Sequence, residues 1–267
     1  MYCSLFVSEI SVFLQENDID FDLFHNLIYI KSKDLILELV DRNPIYKNDS
    51  EIIGKFINVS NKVVIHYDIW YSKNSIIKNR ILAILGRGET FFARKCEIKE
   101  IDAIVSNSFL NDNHLLGAAK AKYRYALVYN NRVVSVAIFS GYRTLVRDGR
   151  AIKSYEWVRF ANIGSSRVIG GMGKLLKHFV NKLSPDEIMS YSDNEWKMAD
   201  CCYSKLGFKS SNKTPPIVFI VNSNNYTRVP KKRALNSILE NECSKKSEYY
   251  SVSNLGNTKF YWQAVTI

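Results

Sequence analysis

The sequence predicts an α+β chain of two domains: a small α/β unit over residues 1–88, then a larger mixed-sheet unit over residues 89–267 that ends in a basic C-terminal extension. Three observations lead there. Strand-like runs rich in Ile, Val, Tyr and Phe alternate with helical stretches along the 267 residues. A helical run ends at Gly86-Arg87-Gly88, a natural exit from a first unit. Charge also changes there. Residues 1–88 hold ten Lys/Arg against eleven Asp/Glu, while the rest hold twenty-seven against fifteen, so the whole formal excess of +11 belongs to the second part.

The elements follow in order. "SEISVFLQEND" places Ile10, Phe13 and Leu14 on one helical face. "NLIYI" and "LILELV" read as strands around the turn "KSKD", and "KVVIHYDIWY" as a strand with an acidic tip. "SIIKNRILAILGRGE" has helical spacing at Ile76, Ile77, Ile81, Leu82 and Leu85. In the second unit, "TFFARKCEI" reads as a strand and "IDAIVSNSFLNDNHLLG" as a helix. "YRYALVYNNRVVSVAIFSGYR" is a hairpin turning at Asn130-Asn131, residues that tolerate positive φ. "KSYEWVRFAN" is a strand, "GKLLKHFVNKL" a helix, "EIMSYSD" a strand and "MADCCYSKLG" a helix. "PPIVFIVN" and "KFYWQAVTI" are strands, and residues 228–248 form a charged helix or loop.

The composition excludes several classes. No stretch approaches the roughly 20 apolar residues of a membrane helix, and the N-terminus, which meets Glu9 early, does not read as a secretory signal. The five cysteines (Cys3, Cys96, Cys201, Cys202, Cys243) show neither a CxxC pair nor ligand spacing with the four histidines, and read as reduced thiols of a cytoplasmic protein. A basic unit with interleaved aromatics points to DNA as partner. Candidate phosphate contacts are Arg143 and Arg147 in "GYRTLVRDGR", and Arg228, Lys231, Lys232 and Arg233 in "RVPKKR". Trp157 and Trp196 are candidates to stack on a flipped base.

The segment "GSSRVIGGMGKLL" sets glycines before a helix. Gly170, Gly171 and Gly173 can bring backbone N–H groups to a phosphate, with Arg167 and Lys174 adding charge. The same residues also suit a tight turn with close helix packing. Asp193 at the end of "EIMSYSD" is a base, a substrate anchor or a helix cap. Tyr203 is a proton donor or a packing residue, and His114 a catalytic or structural hydrogen-bonding group. Glu156 and Arg159, three apart on a strand, should face opposite sides.

With these motifs in hand, the loop "RVIGGM" and the later "YSKLGF" resemble the GNAT acyltransferases, whose corresponding loop binds the pyrophosphate of acyl-CoA. Arg167 and Gly170 match, while Met172 stands where that family has a small residue. "ARKCEI", "NDNHLLG", "SYEWVRFAN", "VIGGMGKLL", "MSYSD", "YSKLGF" and "GNTKFYW" together resemble the C-terminal part of phage proteins labelled homing endonucleases. More distantly they are similar to Mom-type phage DNA-modification proteins, which have a GNAT-like fold and alter adenine. That resemblance implies functional roles for His114, Asp193 and Tyr203, with Glu156 and Arg159 on the strand before the loop. It implies acetyl-CoA or a related acyl-CoA as donor, a nucleobase as acceptor, and the cytoplasm of a phage-infected bacterium as the setting. The chain departs from the pattern at Ser192, Lys197 and Ala199.

Residues 1–88 resemble, in degenerate form, the very-short-patch-repair endonucleases that open such phage proteins. Glu9, Glu38 and Asp68 keep acidic positions, Leu27 stands at the strand aspartate, and no "WHS" segment exists. The resemblance leaves a site-specific endonuclease using Glu38 and Asp68 with Mg2+ as one alternative, and a non-catalytic DNA-binding module as another.

Overall fold

The computed structural model describes residues 4–42, 58–147, 149–199, 202–237 and 248–264. It is a mixed α/β structure that divides into two compact units. One comprises Met1–Asn74, Asp193–Cys201 and Lys213–Asn257; the other Ser75–Ser192, Cys202–Asn212 and Thr258–Ile267. The division therefore differs from a single cut at Gly88, because later segments return to complete the first unit. Gly88 has a local packing role instead. A Cβ there would sit 1.9 Å from the Ser165 carbonyl oxygen, so only glycine allows the two backbones to approach.

In the first unit, α1 (Leu5–Glu16) is capped by Ser4, whose Oγ accepts the Val7 N–H at 3.3 Å. It buries Phe6, Val7, Ile10, Phe13 and Leu14. The sheet runs β1 (Asp22–Phe24), β2 (Leu27–Ile30), β3 (Leu35–Val40), β4 (Asn61–His66) and β13 (Trp196–Lys197), with β3 and β4 parallel. The strand expected through Tyr71 stops at His66, and α2 (Tyr67–Ser72) begins there. Helical turning buries both Asp68 and Trp70 and lets the Trp70 Nε1–H reach Glu9 Oε2 at 2.9 Å. A second sheet of this unit orders β16 (Arg228–Pro230), β15 (Val218–Asn222) and β17 (Tyr249–Ser253), and α7 spans Lys231–Ser237. The rest of the expected 228–248 segment, with Cys3, Cys201 and Cys243, lies outside the described residues.

The second unit opens with α3 (Asn74–Leu85). The strand expected over "TFFARKCEI" is broken into β5 (Thr90–Phe92), a 3-10 turn at Ala93–Lys95, and β6 (Glu97–Glu100). After α4 (Ala103–Asn113) come the hairpin β7 (Tyr123–Tyr129) and β8 (Arg132–Phe139), turning at positive φ on Asn130 and Asn131 as expected. β9 (Arg143–Arg147) pairs with the long β10 (Arg150–Asn162). Then follow β11 (Arg167–Ile169), α5 (Gly171–Leu183), β12 (Glu187–Asp193), α6 (Cys202–Lys205), β14 (Lys209–Lys213) and β18 (Asn257–Gln263). The main sheet has the order β14-β18-β12-β10-β8-β7-β6. One face of its central strands carries the aromatic stack Phe179–Phe139–Trp157. The other carries Leu110, Ala126, Val128, Val136, Ile138 and Ala161 beneath α4. Among the described residues, no helix is long and apolar enough to cross a membrane.

Candidate functional site

The site grows from a fault in one strand. β10 pairs with β8 from Trp157 to Asn162, but the register slips between Trp157 and Arg159. Such a bulge adds a residue and reverses which face the following side chains take. Glu156 and Arg159, expected on opposite faces, therefore come to one side, and Glu156 acts electrostatically on the Arg159 guanidinium. Val158 and Ala161, also three apart, likewise share the cluster under α4. Burial pulls the Arg159 pKa below its ordinary value, Glu156 offsets this, and Nη1 donates to the Val158 carbonyl at 2.8 Å. Arg159 Nε is buried with no hydrogen-bond partner among the described residues.

His114 closes α4 beside this pair. Its Nδ1 accepts the Leu116 N–H at 3.1 Å, which leaves the ring proton on Nε2. Burial, then the charges of Arg159 and Arg80, push its pKa down to about 3. The imidazole is thus neutral across the physiological range and too weak a base to serve as the proton acceptor.

On the other side of β10, the sheet opens. β10 and β12 are parallel partners over Ser154–Glu156 and Glu187–Met189, and the pairing ends where the bulge begins. Ser190 Oγ donates to the Trp157 carbonyl at 3.0 Å. Its single proton being so used, the Tyr203 hydroxyl donates to Ser190 Oγ at 2.8 Å. Tyr203 stacks on Phe260 at 5.0 Å and meets Trp157 and Phe208 edge-on. Ser190 is absent from the sequence reading, although a serine alternating with buried Ile188 on a strand already signals a polar group that needs a partner. Asp193 does not cap a helix: its Oδ1 accepts the Glu195 N–H at 2.9 Å, in the first unit.

Downstream, the glycine segment holds a short strand that was not expected: β11 pairs in parallel with β5. Gly170 is the N-cap of α5 at φ +77°, a conformation that favours glycine. The first turn of α5 holds no acidic residue, so its unpaired N–H groups suit an anion. Gly171 is not at the surface. It is buried, and a Cβ there would meet Val168 Cγ1 at 3.0 Å and Leu127 Cδ1 at 3.3 Å. Gly173 faces Leu206 at 3.3 Å in the same sense. Lys174 is turned away from any phosphate: its Nζ donates to the carbonyls of Ala93 at 3.0 Å and Cys96 at 2.5 Å. Arg167 is exposed.

The acidic positions of the first unit are tied up. Asp68 is fully buried and takes a two-pronged ion pair from Arg228, with Nη2 to Oδ1 at 2.8 Å and Nε to Oδ2. Glu38 pairs with Lys62 at 2.5 Å. Strand register sets Leu27 opposite Glu38, so an apolar side chain stands where a second ligand would be needed. Among the described residues no three His, Cys, Asp or Glu side chains are grouped to hold a metal. The endonuclease alternative with Mg2+ thus finds no ligand set among the described residues, and Arg228 is removed from the list of phosphate contacts. Lys231, Lys232 and Arg233 remain exposed, on α7 of the first unit. Arg143 is exposed on β9, while Arg147 also reaches Glu187 Oε2 at 3.5 Å. Trp157 and Trp196 are 2% and 8% exposed and packed, which excludes them as base-stacking surfaces.

No protein-family model matches the chain, and no curated protein matches it. Among solved structures, a Bacillus subtilis acetyltransferase in complex with CoA is similar at 16% identity, covering 64% of this chain and 100% of that one, with a TM-score of 0.36. Naa50 of Arabidopsis thaliana in complex with a bisubstrate analogue, CoA-Ac-MVNAL, is similar at 14% identity over 64% and 99%, with a TM-score of 0.40. A GNAT family acetyltransferase from Elizabethkingia anophelis with acetyl-CoA bound is similar at 12% identity over 64% and 99%, with a TM-score of 0.35.

Proposed function

We propose that the second unit transfers an acyl group from a CoA-type thioester to an amino group of a nucleobase in DNA. The observation that carries this reading is the parting of β10 and β12 at the bulge, with the Tyr203 hydroxyl on one side and the Glu156–Arg159–His114 group on the other. A parallel pair that opens leaves backbone groups without ladder partners, and the bulge aims side chains into the gap. The α5 N-terminus, with the N–H groups of Gly170, Gly171, Met172 and Gly173 and the nearby Arg167, fits a pyrophosphate; Lys174 does not contribute. An acyl-CoA bound there would supply the electrophilic thioester carbonyl.

The chain's own groups then have these tasks. Glu156 accepts the proton that the attacking amine loses as its nitrogen bonds to the acyl carbon. Tyr203 gives its hydroxyl proton to the departing sulfur and is reprotonated from solvent. His114, neutral beside Arg159 and Arg80, takes no proton in the reaction. The preference for DNA is supported by the excess of basic over acidic residues beyond residue 88.

Titration calorimetry with CoA and acetyl-CoA on the full chain tests donor binding, with Arg167→Glu expected to weaken it. Mass spectrometry of nucleosides after incubating DNA with acetyl-CoA tests transfer, which Tyr203→Phe and Glu156→Gln should reduce without loss of donor binding. The commitment of Lys174 to backbone carbonyls favours a second reading, a nucleic-acid-binding module without chemistry. A folded protein that takes up neither CoA nor acetyl-CoA decides for it.

A further inference from the structure

Alternation along β12 and β18 turns Glu187, Met189 and Tyr191, with Lys259, Tyr261 and Gln263, to one face of the sheet. The residues between them, Ile188, Ser190 and Phe260, are buried on the opposite face. The main packing of α4 is on β8 and β10, and that of α5 on β7 and β8, away from β12 and β18. Cations and rings alternate along it. The Arg147 guanidinium lies 5.9 Å from the Tyr261 centroid. Lys259 Nζ lies 4.6 Å from Tyr261 and 5.9 Å from Tyr191. Lys259 is held above the ordinary lysine range, first through its hydrogen bond to Tyr261. A groove of about 680 Å3 runs beside these residues and adds the exposed Lys209. Its one carboxylate, Glu187, is buried and already bound by Arg147 and by the Ser154 hydroxyl at 2.7 Å.

We infer that this strip binds single-stranded nucleic acid, with phosphates on Arg147, Lys209 and Lys259 and unpaired bases stacked on Tyr191 and Tyr261. Three considerations select that occupant. The exposed charge is positive, which calls for a polyanion. Tyrosines on an open sheet face stack on bases only when base faces are free, as in a single strand and not within a duplex. An acidic peptide satisfies the cations but leaves the rings without planar partners. Tyr191 is 38% exposed, enough to offer its ring. The inference rests on the nucleic-acid half of the proposed function and is independent of the acyl donor. It also gives that reaction a substrate whose base needs no extraction from a duplex.

Fluorescence anisotropy of the full chain with labelled oligothymidylate of roughly twelve nucleotides, beside a duplex of equal length, tests it. The single strand is expected to bind roughly tenfold tighter than the duplex. Tyr191→Leu and Tyr261→Leu should each weaken it roughly tenfold, and Tyr261→Phe less than about twofold. Lys209→Gln and Lys259→Gln should each flatten the salt slope by about 0.7. Photocrosslinking of wild-type protein to an iodouracil-bearing strand should label Tyr191 or Tyr261, a readout that does not depend on a variant folding. Tighter duplex binding, or unchanged affinity in both leucine variants, overturns the strip while leaving DNA as a partner. Binding of an acidic peptide in place of either nucleic acid overturns the strip and the choice of DNA together, and leaves donor binding to be judged by calorimetry.

Discussion

The buried pair Asp68–Arg228 gives the sharpest energetic test of the first unit. Its hydrogen bonds are charge-assisted, a type worth about 1.5–3 kcal/mol each. Losing one partner of a buried pair costs about 3–5 kcal/mol, because the other charge is stranded. The two ends are not equivalent. Asp68 is fully buried, whereas Arg228 is 13% exposed and lies 5.5 Å from the Phe219 ring centroid. Asp68→Ala leaves a guanidinium with an aromatic face and some access to water, so about 3 kcal/mol is expected. Arg228→Met leaves a carboxylate with no such outlet, and about 4–5 kcal/mol is expected. The double change Asp68→Leu with Arg228→Met removes both charges and should return to within about 2 kcal/mol of wild type. Urea unfolding followed by tryptophan emission, to which Trp70 on the same helix as Asp68 contributes, measures all four proteins. Two small, additive single effects would refute the reasoning. So would Mg2+-dependent DNA cleavage by the wild type that Asp68→Ala abolishes, since it would make the aspartate a ligand rather than a structural partner.

Other outcomes follow from the second unit. His114, with its folded pKa at about 3 against an ordinary 6.5, binds its proton only in the unfolded state between those values, so it removes stability as pH falls below about 6.5, by at most about 1.4 kcal/mol per pH unit. His114→Gln should therefore lose less stability than wild type between pH 7 and 5, and the imidazole resonances of His114 should not titrate over that range. Gly171→Ala should destabilise by about 1–2 kcal/mol, because the clash with Val168 and Leu127 exceeds the gain in helix propensity; calorimetric melting measures it. Gly88→Ala should cost more than Gly171→Ala in the same measurement, since the obstructing atom is the Ser165 backbone rather than a side chain. Lys174→Met should lower the melting temperature by freeing the carbonyls of Ala93 and Cys96, yet leave CoA affinity unchanged; weaker CoA binding at unchanged stability would return Lys174 to the ligand.

Local signals were legible wherever one element decides its own conformation. Asn130-Asn131 demanded a hairpin, and the spacing of Ile76, Ile77, Ile81 and Leu85 demanded a helix. What the sequence concealed was set by distant partners. "HYDIWY" is rich in strand formers, but Glu9 and Arg228 draw Trp70 and Asp68 inward, and the segment turns helical. Lys174 looked like a phosphate ligand because nothing local reveals that its ammonium reaches the carbonyls of Ala93 and Cys96 at the turn Ala93–Lys95. A boundary at Gly88 followed from chain order, while β13 and the β16-β15-β17 sheet complete the first unit from positions more than a hundred residues later.

The bulge at Trp157–Arg159 shows why site residues are harder to read than elements. Strand parity puts Glu156 and Arg159 on opposite faces, and every inference downstream of residue 158 inherits that assignment. One unpaired residue reverses it. Val158 is the insertion: it and Ala161 bury in the same cluster although they are three apart, while Trp157 and Phe139 stack on the other face. Sequence spacing alone thus gave the wrong geometry for this pair. The same fault does two further things. It ends the parallel pairing with β12, which opens the sheet beside Ser190 and Tyr203. It also brings a buried, unsatisfied guanidinium nitrogen next to a carboxylate and a neutral imidazole. An extra residue costs ladder hydrogen bonds, here offset by the packing of Val158 in that cluster. The gap and the charged group arise from a single irregularity.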